Sequence, residues 1–258
     1  MLAAFRDELP EFGTDEWAQF GVLMNMARVG PTAYETLKNV LFYGYFPYGY
    51  SFFSTSLIAI LPVKLANVVF RTDLPTYAYM IILRQLSPLW TLAAITLLVY
   101  LWTGFKSAGK SVVVFLFLLG IPAVFQNNMF WHPDSLAILF VVLTIFSLVK
   151  DDLNFSAWFY VAAASCGLAA GAKIIGLFFF LSVATYLFMG LAQSRLTLGR
   201  ALKRGVLFVL VMAVAIVISN PLLLIPAMAR EFVIWTLLKL AWPLSTSMAP
   251  ALENPPPP

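Results

Sequence analysis

The stretch VLFVLVMAVAIVISNPLLLI, which is Val206–Ile225, decides the class of fold. It contains no charged residue, and its length matches the about 20 apolar residues that a membrane-spanning helix needs. Its apolar side chains do not alternate with polar ones, as they would in a barrel strand. Only helices and closed barrels satisfy the backbone inside a bilayer, so this stretch predicts a transmembrane helix.

Similar apolar stretches occur along most of the chain. Six precede it: Tyr50–Phe70, Leu86–Trp102, Ser111–Phe125, Ser135–Val149, Phe155–Ala170 and Ile174–Leu191. An eighth, Phe232–Leu244, is marginal because it holds Lys239. The sequence therefore predicts an all-α, polytopic helical membrane protein with about 6–8 hydrophobic helices.

The composition excludes a soluble globular protein. Of the 258 residues, 61% are hydrophobic and 11% are charged, whereas soluble domains have about 45–50% and about 25%. The net charge of +4 is small and typical of cytoplasmic loops, so we expect the lipid bilayer as a partner and no nucleic acid. Cys166 is the only cysteine, so an internal disulfide and a Cys-based zinc site are excluded. Its apolar surroundings indicate a packing residue.

Composition divides the chain into three regions. Residues 1–49 form an acidic and aromatic external segment, 50–246 a transmembrane helical domain, and 247–258 a proline-rich tail.

The first region contains a predicted amphipathic helix. Trp17 and Phe20 lie at helical spacing, which is typical of a helix in the membrane interface. Thr14 suits the N-cap, with Asp15 and Glu16 in the first turn. These two carboxylates are either ordinary charges at a helix N-terminus or a base in a surface loop.

The distribution of Lys and Arg predicts the orientation. The densest basic loop holds Arg195, Arg200, Lys203 and Arg204. This loop should be cytoplasmic, and counting helices backwards then places residues 127–133 outside. Pro62 and Lys64 interrupt the stretch Tyr50–Phe70, where a spanning helix disfavours both. We therefore expect that stretch to dip into the outer leaflet without crossing, which leaves residues 1–49 outside as well.

Polar groups lie where several apolar stretches begin or end. His132-Pro133-Asp134 is predicted to open a helix, because Pro suits the first turn and Asp favours the helix dipole. The carboxylate beside the only histidine either caps that helix, holds a divalent cation or positions a hydroxyl. Arg84 and Lys173 either bind a phosphate or extend towards the lipid headgroups.

Two further patterns concern packing. Gly167 and Gly171 have the spacing of small residues in closely packed helices. Asn220-Pro221 predicts a kink with a hydrogen-bonding amide. The sequence has no phosphate-cradling glycine loop and no nucleophile triad.

In chain order, these motifs resemble the membrane core of the GT-C glycosyltransferases. The series covers about residues 12–225: Thr14-Asp15-Glu16-Trp17, Tyr45-Phe46-Pro47-Tyr48-Gly49, Arg84-Gln85-Leu86-Ser87, His132-Pro133-Asp134, Gly167–Lys173 and Ser219-Asn220-Pro221-Leu222-Leu223. It is most similar to the protein O-mannosyltransferase and aminoarabinose-transferase-like superfamily, described as dolichyl-phosphate-mannose-protein mannosyltransferase-like.

The resemblance implies a hexosyltransferase in the cell membrane with its active site on the external face. Such enzymes move a sugar from a polyprenyl-phosphate donor to an acceptor hydroxyl of a protein, lipid or glycan. A single displacement would invert the configuration of the anomeric carbon. Arg84 and Lys173 would hold the donor phosphate.

The resemblance also implies roles for the acidic residues. Asp15 would be the catalytic carboxylate that deprotonates the acceptor hydroxyl, with Glu16 assisting. Asp134, with His132, corresponds to an acid of the second external loop. In some relatives that acid helps to bind a metal, so a divalent cation would lie on Asp15 and Asp134.

Two other interpretations stay open. One is a non-catalytic transporter or scaffold for lipid-linked sugars, and the other is an inactive glycosyltransferase. Polar residues along a path through the helices would favour transport, whereas here they lie at helix ends on one predicted side. Family members normally have a spanning helix before the acidic pair and several spans after the Asn-Pro motif. The resemblance therefore implies a short or partial form that lacks both.

Overall fold

The computed structural model describes residues 16–45, 48–72 and 74–234, apart from the side chain of Ile175. Within these ranges the chain is helical without a β-strand, which confirms the all-α prediction there. The α-helices are α1 (Glu16–Met26), α2 (Ala33–Leu41), α3 (Tyr50–Phe70), α4 (Thr76–Thr103), α5 (Ala108–Leu119), α6 (Pro122–Asn127), α7 (Asp134–Asp151), α8 (Ala157–Ala172), α9 (Phe180–Ala192) and α10 (Leu198–Ser219). A 3-10 helix, Ile174–Phe179, lies between α8 and α9.

The chain divides into two compact units. The first ends at Asn220, and Pro221–Pro258 form the second. The described part of the second unit is a 3-10 helix, Pro221–Leu224, followed by helical residues 226–234. Most of the marginal stretch Phe232–Leu244, with Lys239, and the whole proline-rich tail lie outside the described residues.

Three helices, α3, α4 and α10, are long and apolar enough to cross a membrane. The shortest of them, α3, has 21 residues and a length of about 31 Å, close to the ~30 Å hydrocarbon core of a bilayer. Large apolar side chains such as Phe117 and Val214 are exposed on the helix surfaces. A surface of this kind is suited to contact with lipid, which supports association with a bilayer.

Helix α3 is continuous, so the expectation that Pro62 and Lys64 interrupt it is wrong. Pro62 lies inside the helix. Lys64 Nζ donates to the carbonyl oxygen of Ala27 at 2.7 Å, just after α1, where the helix dipole favours a cation. A helix can therefore include this lysine because its charge has a partner. The placement of α3 in the outer leaflet stays a prediction.

Helix α4 begins earlier than the sequence predicts, at Thr76 instead of Leu86. Arg84 consequently lies inside a helix and does not open one. The cause is the run of residues 77–83, which is apolar enough to extend the helix back to Pro75. Pro88 also lies inside α4 and has no N–H to donate to the carbonyl of Arg84.

The stretch Ser111–Phe125, predicted as one span, is two helices. α5 ends at Leu119 and α6 begins at Pro122. Ile121 between them has extended backbone, with φ −64 and ψ 120, because a residue that precedes proline avoids the helical region.

The predicted span Val206–Ile225 is also displaced along the sequence. α10 begins at Leu198 and places Arg200, Lys203 and Arg204 in its first two turns, so the predicted basic loop is mostly helix. The helix ends at Ser219, and Asn220 before Pro221 has extended φ of −146. The predicted hydrogen-bonding amide at Asn220 is confirmed, whereas the predicted kink is a helix end, because a 3-10 helix begins at Pro221.

Residues 16–45 hold two helices where the sequence predicted one. Thr32 caps α2: its Oγ1 accepts from the N–H of Glu35 at 3.2 Å and donates to Glu35 Oε2 at 3.2 Å. This is an N-cap within the Thr-x-x-Glu pattern of the sequence. The buried face of α1 carries Glu16 and Gln19, whereas Trp17 is exposed.

The core of the first unit lies where α8 packs against α7 and α10. Phe159, Cys166 and Phe208 are fully buried in it, which confirms that the cysteine is a packing residue. A Cβ on Gly167 would collide with the carbonyl oxygen of Met212, and one on Gly171 with the hydroxyl of Ser219. The predicted close packing at these glycines is thus confirmed.

Candidate functional site

Glu16 and Arg84 form a mostly buried ion pair between α1 and α4. Arg84 Nε donates to Glu16 Oε1 at 3.0 Å, and Arg84 Nη2 donates to Oε2 at 2.6 Å. The backbone N–H of Trp131 also donates to Oε1, at 2.8 Å. Glu16 is 2% exposed. Two-point pairing of this kind is among the stronger charge-assisted interactions. Glu16 therefore joins α1 to α4 and to the backbone at Trp131, in addition to lying in the first turn of α1.

The loop between α6 and α7 lies on this ion pair and is held by neighbouring helices. Ser87 Oγ on α4 donates to the carbonyl oxygen of Phe130 at 2.7 Å and accepts from the N–H of His132 at 3.3 Å. Trp131 Nε1 donates to Ser56 Oγ on α3 at 3.0 Å. These bonds fix the backbone just before His132-Pro133-Asp134, and α7 begins at Asp134 as predicted.

Asp134 is the centre of a second charged cluster. Lys173 Nζ donates to its Oδ1, and His132 Nδ1 lies 3.1 Å from its Oδ2. The hydroxyl of Tyr48 lies 3.0 Å from His132 Nε2. Burial acts to raise the pKa of Asp134, but the hydrogen bonds from His132 and Lys173 outweigh it and lower that pKa to about 2. Asp134 is therefore ionised at neutral pH.

Lys173 is positioned by the end of α8. It follows the helix in extended conformation, with φ −152 and ψ 133. The N–H of Gly49 donates to the carbonyl oxygen of Ala172 at 3.1 Å. A Cβ on Gly49 would collide with the carbonyl oxygen of Gly171, so only glycine allows the 48–50 segment to approach so closely.

Asn220 links three segments beside this point. Its Nδ2 donates to the carbonyl oxygen of Gly171 at 3.1 Å. Its Oδ1 accepts from the hydroxyl of Tyr43 at 3.0 Å and from the N–H of Tyr50 at 3.4 Å. Burial raises the pKa of Tyr43, and a backbone hydrogen bond from Tyr50 only partly opposes it, so this phenol stays protonated and donates.

The structure brings together the predicted site residues that it describes. Glu16 pairs with Arg84 and Asp134 pairs with Lys173, and His132 also contacts Asp134. The backbone of residues 131–134 connects the two ion pairs. Asp15, the predicted base, lies outside the described residues. The arrangement differs from the expectation in one respect, since both cations predicted to bind phosphate contact a carboxylate.

The far ends of α4 and α7, and the first turns of α8 and α10, carry basic residues that contact tyrosines. Lys150 Nζ donates to the hydroxyl of Tyr100 at 2.9 Å, and Arg204 Nη1 donates to the hydroxyl of Tyr160 at 2.6 Å. From Asp134 to Lys150, α7 rises by about 24 Å. The candidate site and the basic residues are thus separated by most of a bilayer thickness within the first unit.

The described residues do not suit a divalent cation as they are arranged. In the part of the chain that the structure describes, no three His, Cys, Asp or Glu side chains lie close enough to share a metal ion. Asp134 also has an ammonium on one oxygen, which a metal would have to displace. The metal prediction involves Asp15 as well and stays a prediction, and we derive no step through a metal.

Sequence reasoning missed two members of the site. Tyr48 lies in the aromatic motif 45–49 of the sequence analysis, but it was assigned no role in the site. Gln19 is fully buried, and neither its amide nitrogen nor its amide oxygen has a hydrogen-bond partner among the described residues. Its position three residues after Glu16, on the same helix face, was the signal available in the sequence.

Comparison with known protein families, with curated proteins and with solved structures gives no match to this chain.

Proposed function

We propose that this chain is the membrane core of a glycosyltransferase that transfers a sugar from a polyprenyl-phosphate donor to an acceptor hydroxyl on the external face. The observation that carries the proposal is the pair of linked ion pairs, Glu16–Arg84 and Asp134–Lys173. Four separate segments contribute to them: Asp134 and Lys173 lie at the ends of α7 and α8, and Glu16 in α1 meets Arg84 within α4. A reaction between a lipid-linked phosphate and a polar acceptor needs cations and carboxylates together.

The proposed roles of the two adjacent acids differ. Both oxygens of Glu16 accept hydrogen bonds from Arg84, and one also accepts from Trp131, so Glu16 is suited to orient Arg84. Asp15, joined to it by one peptide bond, is the proposed base. The acceptor oxygen bonds to the anomeric carbon, the bond from that carbon to the phosphate oxygen breaks, and the acceptor proton passes to Asp15.

Lys173 is the proposed contact for the departing phosphate. An ammonium has three N–H donors, and Asp134 accepts one of them. Lys173 is also partly exposed, so a phosphate has access to it. Because the leaving group is the polyprenyl phosphate anion, a fixed cation at this position stabilises the charge that develops on it.

The test uses the purified full chain in liposomes with polyprenyl-phosphate hexoses that carry a labelled sugar. We measure the release of polyprenyl phosphate and the transfer of label to a mixture of hydroxyl acceptors. Asp15→Asn should lower turnover by about 100-fold or more, in the range for loss of a general base. Asp152→Asn is the matched control, because Asp152 is exposed at the other end of α7. Lys173→Ala should weaken binding of the donor.

The outcomes separate the proposal from its alternative. Equal turnover by Asp15→Asn and the wild-type chain would refute the role of Asp15. If the wild-type chain binds polyprenyl-phosphate hexoses with no release of polyprenyl phosphate, the scaffold or transporter interpretation replaces the proposal. If it neither binds nor consumes them, both interpretations are wrong.

A further inference from the structure

Tyr48 is the innermost member of a hydrogen-bonded network that ends at Lys173. Its hydroxyl lies 3.0 Å from His132 Nε2, and His132 Nδ1 lies 3.1 Å from Asp134 Oδ2. Asp134 Oδ1 accepts from Lys173 Nζ. Tyr48 is buried, whereas the side chains of the other three residues are partly exposed. The network therefore leads from the protein interior to the candidate site.

The 48–50 segment also holds Lys173 through the backbone. The N–H of Gly49, next to Tyr48, donates to the carbonyl oxygen of Ala172, next to Lys173. Together with the side-chain contacts of the network, this bond closes a ring. A lysine side chain loses rotamer freedom when it is fixed. A lysine that the fold already holds therefore loses less freedom when a ligand binds to it.

The two ring nitrogens of His132 have different roles in this network. An ionised carboxylate only accepts hydrogen bonds, and Asp134 is ionised at neutral pH. Nδ1 must therefore carry the proton that faces Asp134. In the neutral imidazole Nε2 is then an acceptor, and the Tyr48 hydroxyl donates to it. The imidazole cannot turn over without the loss of both hydrogen bonds.

We infer that Tyr48 is a positioning residue, which determines the position of the Lys173 ammonium through His132 and Asp134. The inference rests on the proposed function, in which Lys173 contacts the departing phosphate. Asp134 contacts His132 with one oxygen and Lys173 with the other. An imidazole fixed by Tyr48 therefore fixes the carboxylate, and the carboxylate fixes the ammonium. Removal of the Tyr48 hydroxyl should weaken the hold on Lys173, although Tyr48 itself does not contact the phosphate.

The first test observes the imidazole directly, because His132 is the only histidine of the chain. The full chain, without a histidine tag, is labelled with ¹⁵N-histidine and studied by NMR in detergent micelles at about pH 8.5, above the pKa of about 6.5 of a free imidazole. Nδ1 should carry a proton and Nε2 should not. Tyr48→Phe keeps the ring that packs against Phe52 and should shift the Nε2 signal. Tyr43→Phe removes a phenol hydroxyl that bonds to Asn220 instead, and it should leave both signals unchanged.

The second test asks whether Tyr48 acts through Lys173. Binding of a labelled polyprenyl-phosphate hexose is measured in micelles for the wild-type chain, Tyr48→Phe, Lys173→Ala and the double variant. Tyr48→Phe should weaken binding by about threefold to tenfold, as expected for the loss of one hydrogen bond. In the Lys173→Ala background the same change should have no further effect, because substitutions that act on one network are not additive.

The outcomes distinguish this inference from the proposed function. A proton on Nε2 in the wild-type chain, or an Nε2 signal that Tyr48→Phe leaves in place, would overturn the inferred network. Equal binding by the wild-type chain and Tyr48→Phe, or additive losses in the double variant, would leave Tyr48 a purely structural role. Either result overturns the inference while the proposed function stands. A wild-type chain that binds no polyprenyl-phosphate hexose would overturn both.

Discussion

At the scale of single residues, each described carboxylate of the candidate site is held by a cation from another segment. Glu16 pairs with Arg84, and Asp134 pairs with Lys173. Removing one partner of a mostly buried pair leaves an uncompensated charge, which is more damaging than removing both. Single substitutions here therefore affect folding and chemistry together, and each activity measurement needs a stability measurement beside it.

The lowered pKa of Asp134 predicts how the stability of the folded chain depends on pH. A carboxyl whose pKa is lower in the folded state stabilises that state at pH values above its unfolded pKa, about 3.9. This contribution disappears as the pH falls towards about 2, the folded value. The melting temperatures of the wild-type chain and Asp134→Asn in detergent should therefore differ at pH 7. The gap should close below pH 4, and a gap that widens there would contradict the ion pair.

Replacing Gln19 should have opposite effects on the stability of the chain and on sugar transfer. A buried amide without partners costs about 1–3 kcal/mol, so Gln19→Leu should raise the unfolding free energy by roughly 1–2 kcal/mol. If the amide binds a sugar hydroxyl beside Glu16, the same change should lower sugar transfer by about tenfold, the equivalent of one hydrogen bond. Stability is measured by thermal unfolding in detergent and transfer by release of polyprenyl phosphate.

Ser147→Ala is the matched control for this prediction. The Ser147 hydroxyl is also buried without a partner among the described residues, but it lies near the other end of α7. It should change stability and leave transfer unchanged. A Gln19→Leu chain that is more stable and equally active would assign the amide no role in binding.

The chemistry of the site residues was predictable, but their pairing was not. Charged groups beside apolar stretches are unusual enough to identify Asp134 and Lys173. The contact between Glu16 and Arg84 joins residues 68 positions apart. It depends on how α1 packs against α4 and the 128–134 loop, and no local pattern in the sequence encodes that packing.

At the scale of elements, the apolar stretches predicted which segments are helical but not where the helices end. Hydrophobicity reports burial in lipid or protein, whereas helix ends depend on backbone groups. α4 extends back through the apolar run 77–83 and begins directly after Pro75. α5 ends before Ile121 because Pro122 follows it. Attention to prolines would have corrected both boundaries.

The contact between α8 and α10 makes a prediction at the same scale. A Cβ at Gly171 would meet the Ser219 hydroxyl and the Asn220 amide, which hold the end of α8 beside Lys173. Gly171→Ala should therefore lower the unfolding free energy by about 1–3 kcal/mol, as overpacking does. Gly199→Ala on α10 is the matched control, because nothing lies within 4 Å of the added Cβ. Equal melting temperatures for the two variants would contradict the close contact.

At the scale of the whole first unit, the contacts of α3 bear on how the chain meets a membrane. Near its start, the rings of Phe52 and Trp90 lie 6.2 Å apart. Near its end, Asn67 Nδ2 donates to the hydroxyl of Tyr79 at 2.7 Å. Both contacts on α4 lie on the same side of Tyr100, which marks the basic end. The two partners, Tyr79 and Trp90, are separated on α4 by a rise of about 16 Å, so α3 runs antiparallel to α4 along that length. The expectation that α3 begins and ends on the external face stays a prediction.

That expectation is testable by the accessibility of single cysteines in a Cys166→Ala background, since Cys166 is the only native cysteine. Val29→Cys and Met129→Cys replace exposed residues on the proposed external face, and Gln193→Cys lies between α9 and α10 at the basic end. A membrane-impermeant maleimide should label the first two in intact cells and the third only after the membrane is opened. Labelling of Val29→Cys only after opening means that α3 crosses the bilayer. Labelling of Gln193→Cys in intact cells would contradict the orientation predicted from the basic residues, because it would place the Arg200–Arg204 end outside.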